Sequence, residues 1–185
     1  ATIDWLLTDS RSLSFPEETL FFALTTKRND GARYIPDLYS RGVRNFVVSK
    51  ETYKAIENGQ LTIDNSMQRD SAQPIVNCQL STVNFLVVAN PLKALQKLAE
   101  QHREQFQIPV IGITGSNGKT IVKEWLHQLL SPERVIVRSP RSYNSQIGVP
   151  LSVWQMNEQS ELAIFEAGIS EMGEMRALQH IIKPP

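Results

Sequence analysis

The stretch from residue 109 to residue 130 constrains the fold more than any other part of the chain. The apolar segment 109–114 predicts a buried strand, the segment GSNG follows at 115–118, and a helical pattern begins at Lys119. An apolar stripe at helical spacing comprises Ile121, Val122, Trp125, Leu126, Leu129 and Leu130. A strand that leads through a short glycine-rich loop into a helix is the building unit of parallel sheets, so the sequence predicts an α/β fold.

The rest of the chain also alternates between strand and helix patterns. Further strands are predicted at 19–24, 43–49, 83–89, 134–138 and 162–168, and further helices at 34–42, 90–106 and 174–182. In the helix at 90–106, the predicted buried face comprises Leu92, Leu95, Leu98, Ala99 and His102. The polar segment 57–74 is predicted to be a loop. Because strand and helix patterns alternate more regularly after Asn90 than before it, we expect two domains, residues 1–89 and 90–185. One continuous sheet is the alternative.

Composition excludes several classes of protein. Lysine plus arginine and aspartate plus glutamate both number 19, so no net positive charge attracts nucleic acid. No run of about eighteen apolar residues exists that could insert into a membrane as a helix. Cys78 is the only cysteine, which fits a reduced, cytoplasmic setting. The chain begins at Ala1 and stops just after a helical pattern, so we expect it to be part of a longer polypeptide.

The loop at 115–118 has the chemistry of a phosphate-binding loop. Its backbone N–H groups and the positive end of the following helix suit a phosphate, Lys119 suits the β- and γ-phosphates, and the Thr120 hydroxyl suits Mg²⁺. The usual pattern G-x-x-x-x-G-K-[ST] would place glycine where Ile113 stands, so the loop is not of the ordinary spacing. A plain strand-to-helix turn rich in glycine and serine is the alternative.

The segment GITGSNGKT (112–120) resembles the nucleotide loop of the Mur ligase family, the ATP-dependent amide ligases of peptidoglycan synthesis, and their folylpolyglutamate synthetase relatives. The resemblance implies the start of a P-loop-type, parallel-sheet ATP-binding domain at residues 90–185, with ATP and Mg²⁺ as cofactors. The implied ATP-binding residues of the loop are Thr114, Gly115, Ser116, Asn117, Gly118, Lys119 and Thr120.

Two downstream segments match the same family. The segment NSQIGVP (144–150) resembles its N-x-x-x-G-x-P motif, which implies that Asn144 lies near the nucleotide; a surface turn is the alternative. Glu166 and Gly168 match its E-x-G motif, which implies that Glu166 and Thr120 are Mg²⁺ ligands and that Lys119 and Glu166 are the catalytic residues. A carboxylate at a strand end suits a hard cation, although it could also be merely solvated.

The N-terminal half resembles the members that extend an existing muramyl peptide, and so implies a small α/β domain that binds a UDP-sugar peptide. The D-S-R segment implies that Ser10 and Arg11 hold the UDP part, and the D-G segment adds Asp30 and Gly31. Arg11 can pair with a pyrophosphate through its planar guanidinium. Arg11 could instead be a surface residue, and Asp30-Gly31 a turn. Ala32 departs from the His or Arg usual in the family.

The implied partners are small molecules. They are UDP-N-acetylmuramoyl (UDP-MurNAc) tripeptide and D-Ala-D-Ala, joined through an acyl phosphate. The segment 138–159 is similar to forms fused to an alanine racemase, which makes such a domain outside this chain a further hypothesis. Two alternatives remain: the member that adds the third amino acid, and a nucleotide-binding module without catalysis.

Overall fold

The chain folds into two compact α/β units, Ala1–Pro91 and Leu92–Pro185. The structure is a computed structural model that describes residues 2–26, 29–59, 83–169 and 173–184. Every pair of neighbouring strands in both units is parallel, which confirms the predicted fold class. Cys78 and most of the predicted loop at 57–74 lie outside the described residues.

The first unit is built on a four-stranded parallel sheet with the order β1-β2-β3-β4. Its strands are β1 (Trp5–Leu7), β2 (Thr19–Phe22), β3 (Asn45–Ser49) and β4 (Asn84–Val88), and its helices are α1 (Ile35–Ser40) and α2 (Lys50–Glu57). Parallel register aligns Phe21 with Phe46 and Phe46 with Phe85; the first pair of rings meets edge to face and the second pair is stacked. Ile35, Leu38 and Val43 are fully buried against this aromatic row and complete the core.

The second unit has a three-stranded parallel sheet with the order β5-β7-β6. Its strands are β5 (Val110–Ile113), β6 (Ile136–Arg138) and β7 (Leu162–Glu166), and its helices are α3 (Pro91–Glu104), α4 (Lys119–Leu130), α5 (Gly148–Val153) and α6 (Glu174–Ile182). Ile113 is in register with Glu166, so the last residue of β7 lies beside the start of the glycine loop. The six predicted strands correspond to β2 to β7, and each begins and ends within two residues of the observed bounds.

The predicted apolar stripe of α4 does not face the sheet. Ile121, Trp125 and Leu129 are 59%, 64% and 73% exposed, whereas Lys123 is fully buried. The stripe identified in the sequence is therefore not a buried face in the described structure. The reason is electrostatic, because Lys123 turns inward to a carboxylate and two carbonyl groups, and the helix presents that side to β7.

The buried side of α3 is also shifted from the prediction. Leu95 and Ala99 are buried as expected, but the next turn buries Arg103 rather than His102. Arg103 donates hydrogen bonds to the backbone carbonyls of Ile182 and Phe106, at 3.0 and 2.6 Å. The guanidinium thus satisfies one carbonyl at the end of α6 and one just after α3, which stabilises its burial.

No helix within the described ranges is both long and apolar enough to cross a lipid bilayer.

Candidate functional site

The glycine loop between β5 and α4 depends on two left-handed residues. Gly115 has φ 136° and Gly118 has φ 78°, a region that favours glycine because it lacks a β-carbon. Gly118 caps α4 without any side-chain hydrogen bond, so the first N–H groups of this helix stay directed at the loop. Thr114, Ser116 and Asn117 are exposed on the same loop. The arrangement presents backbone donors and the positive end of a twelve-residue helix to an anion.

Lys119 folds back over this loop. Its Nζ donates a hydrogen bond to the Gly115 carbonyl at 2.7 Å. The ammonium group therefore lies above the backbone that would surround a phosphate, and a bound phosphate oxygen would compete with the Gly115 carbonyl for the same donor.

Thr120 and Glu166 meet at the start of α4. The Thr120 Oγ1 donates to Glu166 Oε2 at 3.1 Å and lies 3.3 Å from the Ser142 hydroxyl. The backbone N–H of Glu166 donates to Ser139 Oγ at 3.1 Å. The structure thus brings together the two residues that the sequence proposes as metal ligands, and it adds Ser142, which sequence reasoning missed.

Lys123 is the second residue that sequence reasoning missed. Its Nζ lies 2.9 Å from Glu166 Oε1, and both side chains are fully buried. The same ammonium donates to the Ser139 carbonyl at 2.7 Å and to the Arg141 carbonyl. A lysine three residues after Thr120 falls on the same face of a helix, which is the signal that could have identified it.

The donor set of this site fits a hard cation. A hydroxyl and a carboxylate are the oxygen ligands that Mg²⁺ prefers. Glu166 Oε1 is buried and has no hydrogen bond in the described structure, although the Lys123 ammonium is within ion-pair distance. Because Lys123 occupies the Oε1 side, a cation would bind at Oε2, where the Thr120 hydroxyl lies 3.1 Å away. The described ranges contain no group of three or more His, Cys, Asp or Glu side chains that could hold a metal by themselves.

Asn144 lies beside the end of β7, where its close approach favours glycine at residue 168. The Gly168 N–H donates to the Asn144 carbonyl at 2.7 Å, and a β-carbon at residue 168 would lie 3.0 Å from Asn144 Cγ. The N-x-x-x-G-x-P and E-x-G segments are therefore in direct contact, and Glu166 is two residues from that contact.

In the first unit, Arg11 is paired with Asp9. Its guanidinium contacts both carboxylate oxygens, with Nη2 to Oδ2 at 2.6 Å and Nε to Oδ1 at 2.9 Å. The hydrogen bonds from Arg11 hold the pKa of the Asp9 carboxyl below its ordinary value. Ser10 is buried, and its carbonyl accepts a hydrogen bond from Arg41 at 2.8 Å. Arg11 itself stays highly exposed, so a ligand can reach it.

Asp30 and Gly31 have structural contacts of their own. Asp30 Oδ1 accepts hydrogen bonds from the Ala32 N–H at 3.0 Å and the Thr25 hydroxyl at 3.2 Å. A β-carbon at residue 31 would lie 2.7 Å from the Leu24 nitrogen, so only glycine fits there. These contacts explain the D-G pair as a cap and a close approach, and its role toward a substrate remains a prediction.

Comparison with known proteins places these features in a family. Residues 113–185 match the family model described as the Mur ligase middle domain. The UDP-N-acetylmuramoyl-tripeptide–D-alanyl-D-alanine ligase of Borreliella burgdorferi is 34% identical over 167 residues, which cover 90% of this chain and 32% of that protein.

Solved structures show the same relationship. The chain is similar to a structure of UDP-N-acetylmuramoylalanyl-D-glutamyl-2,6-diaminopimelate–D-alanyl-D-alanyl ligase from Acinetobacter baumannii, with a TM-score of 0.75 and 27% identity over 98% of this chain and 34% of that one. It is also similar to MurF ligase from Thermotoga maritima in complex with ADP, with a TM-score of 0.70 and 26% identity over 97% and 35% of the two chains. This chain thus spans about a third of the length of the relatives it matches.

Proposed function

Because this chain belongs to the Mur ligase family, as its sequence motifs predict, we propose that it is part of the ligase that joins D-Ala-D-Ala to UDP-MurNAc-tripeptide. In the proposed reaction the terminal carboxylate of the tripeptide attacks the γ-phosphorus of ATP, and ADP leaves. The amine of D-Ala-D-Ala then attacks the acyl phosphate, an amide forms, and phosphate and a proton are released.

The residues of the second unit supply positioning and charge for the first of these steps. The loop amides at 115–118 and the N-terminus of α4 would hold the phosphates, and the Lys119 ammonium would leave the Gly115 carbonyl to neutralise them. Thr120 and Glu166 would hold Mg²⁺, which supplies charge stabilisation at the phosphate oxygens when bound. Asn144 would contact the nucleotide from the adjoining turn.

One observation carries this assignment. The Thr120 hydroxyl and the Glu166 carboxylate come from segments 46 residues apart and meet at 3.1 Å, next to a glycine loop that opens a helix. A hydroxyl and a buried carboxylate at the N-terminus of a helix, where phosphates bind, form the ligand pair that a metal–nucleotide complex requires. A plain strand-to-helix turn would not need this pairing.

We further propose that residues 1–89 bind the UDP-sugar peptide and that residues 90–185 are the first part of the ATP-binding domain. Ser10, Arg11, Asp30 and Gly31 would line the UDP site, with Arg11 exchanging Asp9 for the pyrophosphate. The exposed guanidinium and its fork-shaped pairing with a carboxylate support this exchange, because a pyrophosphate offers the same geometry. Use of ATP and UDP-linked substrates supports a cytoplasmic setting.

Replacement of Lys119 tests the nucleotide assignment. In the full-length protein, Lys119→Ala should lower kcat/KM for ATP by about 100- to 1,000-fold, because a charge directed at the transferring phosphate is lost. Phosphate release and amide formation should be measured together, with circular dichroism to verify the fold. Lys97→Ala, at an exposed ion-paired lysine of α3, is the matched control and should keep the wild-type rate. Near-normal turnover of Lys119→Ala would refute the assignment.

A substrate assay separates this ligase from the member that adds the third amino acid. The full-length protein should release phosphate with UDP-MurNAc-tripeptide plus D-Ala-D-Ala. Activity only with the dipeptide precursor and a single amino acid would show that the protein is instead the family member that adds the third amino acid. Nucleotide binding without phosphate release on either substrate pair would indicate a binding module.

A further inference from the structure

Lys123 is the most completely buried cation of the second unit. Its side chain is fully buried, and its ammonium lies 2.9 Å from Glu166 Oε1 and 3.3 Å from Glu124 Oε1. Burial of a lysine is costly unless its charge is paired, so this position depends on Glu166. The proposed metal ligand is therefore already neutralised by a residue of its own chain.

The charges around this point leave little attraction for a free divalent cation. Glu124 also contacts the Arg138 guanidinium at 3.3 Å, so each of the two acids has a cationic partner. Lys119 adds another ammonium at the adjoining loop. A cation bound at Glu166 would lie close to the Lys123 charge, and only an added anion could offset that repulsion. The phosphates of a nucleotide are such an anion.

We propose that Lys123 is a specificity-determining residue, an internal counter-ion of Glu166 that makes binding of a divalent cation conditional on a bound nucleotide. The inference rests on the proposed nucleotide function. Lys123 holds one carboxylate oxygen, while the other faces the Thr120 hydroxyl, where a metal–nucleotide complex would enter. Bare Mg²⁺ would not occupy the site, and the loop would receive metal and phosphates together.

A purely structural role for Lys123 predicts a different behaviour. Its hydrogen bonds to the Ser139 and Arg141 carbonyls fasten the segment that leads to Ser142 and Asn144. If this anchoring were its whole role, then a neutral donor would preserve function, and the affinity for metal would not respond to the charge. Lys123→Gln separates the two roles, because it keeps an N–H donor and removes the charge.

The test is a titration of the full-length protein with Mn²⁺ in the absence of nucleotide. Electron paramagnetic resonance measures the free Mn²⁺ at each point. We expect wild type to bind Mn²⁺ weakly and Lys123→Gln to bind it more than about tenfold more tightly, since the repelling charge is gone. Mn²⁺ should also raise the Tm of Lys123→Gln and leave that of wild type nearly unchanged. If Lys123→Gln is unfolded without metal, Mn²⁺ is expected to fold it, because the cation replaces the missing partner of Glu166.

Three control variants define the result. Lys123→Arg keeps the charge and should behave like wild type, and so should Lys97→Gln at an exposed ion pair. The double variant Lys123→Gln/Glu166→Gln should lose the gained Mn²⁺ site. Equal Mn²⁺ affinity in wild type and Lys123→Gln would overturn the proposal, as would a gained site that survives Glu166→Gln or a variant that stays unfolded with Mn²⁺.

A titration with ADP separates this inference from the proposed function. Mg²⁺ should tighten ADP binding to wild type. If it does not, the proposed metal–nucleotide site itself is wrong. If it does, and Lys123→Gln shows no gain of bare Mn²⁺ binding, only the role of Lys123 is wrong.

Discussion

Glu166 illustrates how a single residue can satisfy both folding and chemistry. Its carboxylate is fully buried, yet it has the Lys123 ammonium on one oxygen and the Thr120 hydroxyl on the other. Removal of one partner from such a buried pair costs about 3–5 kcal/mol, so variants at either position need a stability measurement beside every functional one. The sequence pattern identifies Glu166 by its place after an apolar strand, but it does not reveal the cation that permits its burial.

His102 makes the stability of the second unit depend on pH. Its Nε2 donates to the Met156 carbonyl at 2.9 Å, and its ring lies 4.5 Å from the Trp154 ring and 5.0 Å from the Phe106 ring. Burial among these groups lowers the pKa of His102, because the charged imidazolium is poorly solvated there. The unfolded chain therefore binds a proton at higher pH than the folded chain does.

The sign of the effect follows from this lowered pKa. Neutral His102 favours the folded state, and this contribution to the free energy of unfolding is complete above the ordinary histidine pKa of about 6.5. It is lost as the pH falls below that value. His102→Gln keeps a donor for Met156 and should flatten the fall in stability between about pH 7.5 and 5.5. Urea unfolding of both proteins across this range measures the difference. The same decline with pH in both proteins would contradict the prediction.

At the scale of elements, α4 and α6 show that apolar periodicity does not decide which side of a helix is buried. In α6 the apolar residues Leu178, Ile181 and Ile182 are buried in the core of the second unit. In α4 the ion pair of Lys123 sets the rotation of the helix, and the apolar stripe faces outward in the described structure. A pattern of apolar residues is an average tendency, whereas a paired buried charge has a specific direction.

Two alanine substitutions measure this difference. Leu178→Ala should lower the free energy of unfolding of the 185-residue chain by about 2–5 kcal/mol, because a fully buried side chain leaves a cavity. Leu129→Ala, at a 73% exposed position, should change it by less than about 0.5 kcal/mol. Chemical denaturation followed by circular dichroism is sufficient. A similar loss in both variants would show that the α4 stripe is buried in solution.

At the scale of the whole molecule, the chain contains two units with separate cores and about a third of the length of its relatives. The loop-bearing strand β5 pairs only with β7 among the described strands, so the support of the nucleotide loop comes from one side. Strand edges without partners leave backbone groups unpaired and make a less rigid platform. The proposed contacts to phosphate and metal therefore lie on a sheet that has an open edge among the described strands.

The 185-residue chain should accordingly bind substrates without completing the reaction. We expect measurable binding of UDP-MurNAc-tripeptide through the first unit, weak binding of Mg-ATP through the second, and no amide formation. Calorimetry with each ligand and a phosphate-release assay with all substrates test this expectation. Release of phosphate at a rate near that of the full-length protein would show that the chain is catalytically sufficient.

Local patterns along the chain predict the α/β class, the strands β2 to β7, the helices α1, α3, α4 and α6, and the residues of the glycine loop. These features depend on local periodicity and on backbone conformations that only certain residues adopt, so they can be read along the chain. The motif at 112–120 and the E-x-G pair were sufficient to predict the family. The helix α2 was not predicted, although Ser49 caps it by accepting the Thr52 N–H.

Three features are visible only in the folded chain: the buried side of α4, the contacts of Lys123 and Ser142 with Glu166 and Thr120, and the pairing of Arg11 with Asp9. The first two results depend on contacts between residues as far as 46 positions apart, which no local pattern encodes. The Arg11 pair is close in sequence, but whether two neighbouring side chains meet depends on the backbone turn between them. The site therefore follows from the register that places Ile113 beside Glu166, because that alignment brings the loop, the helix and the carboxylate to one point.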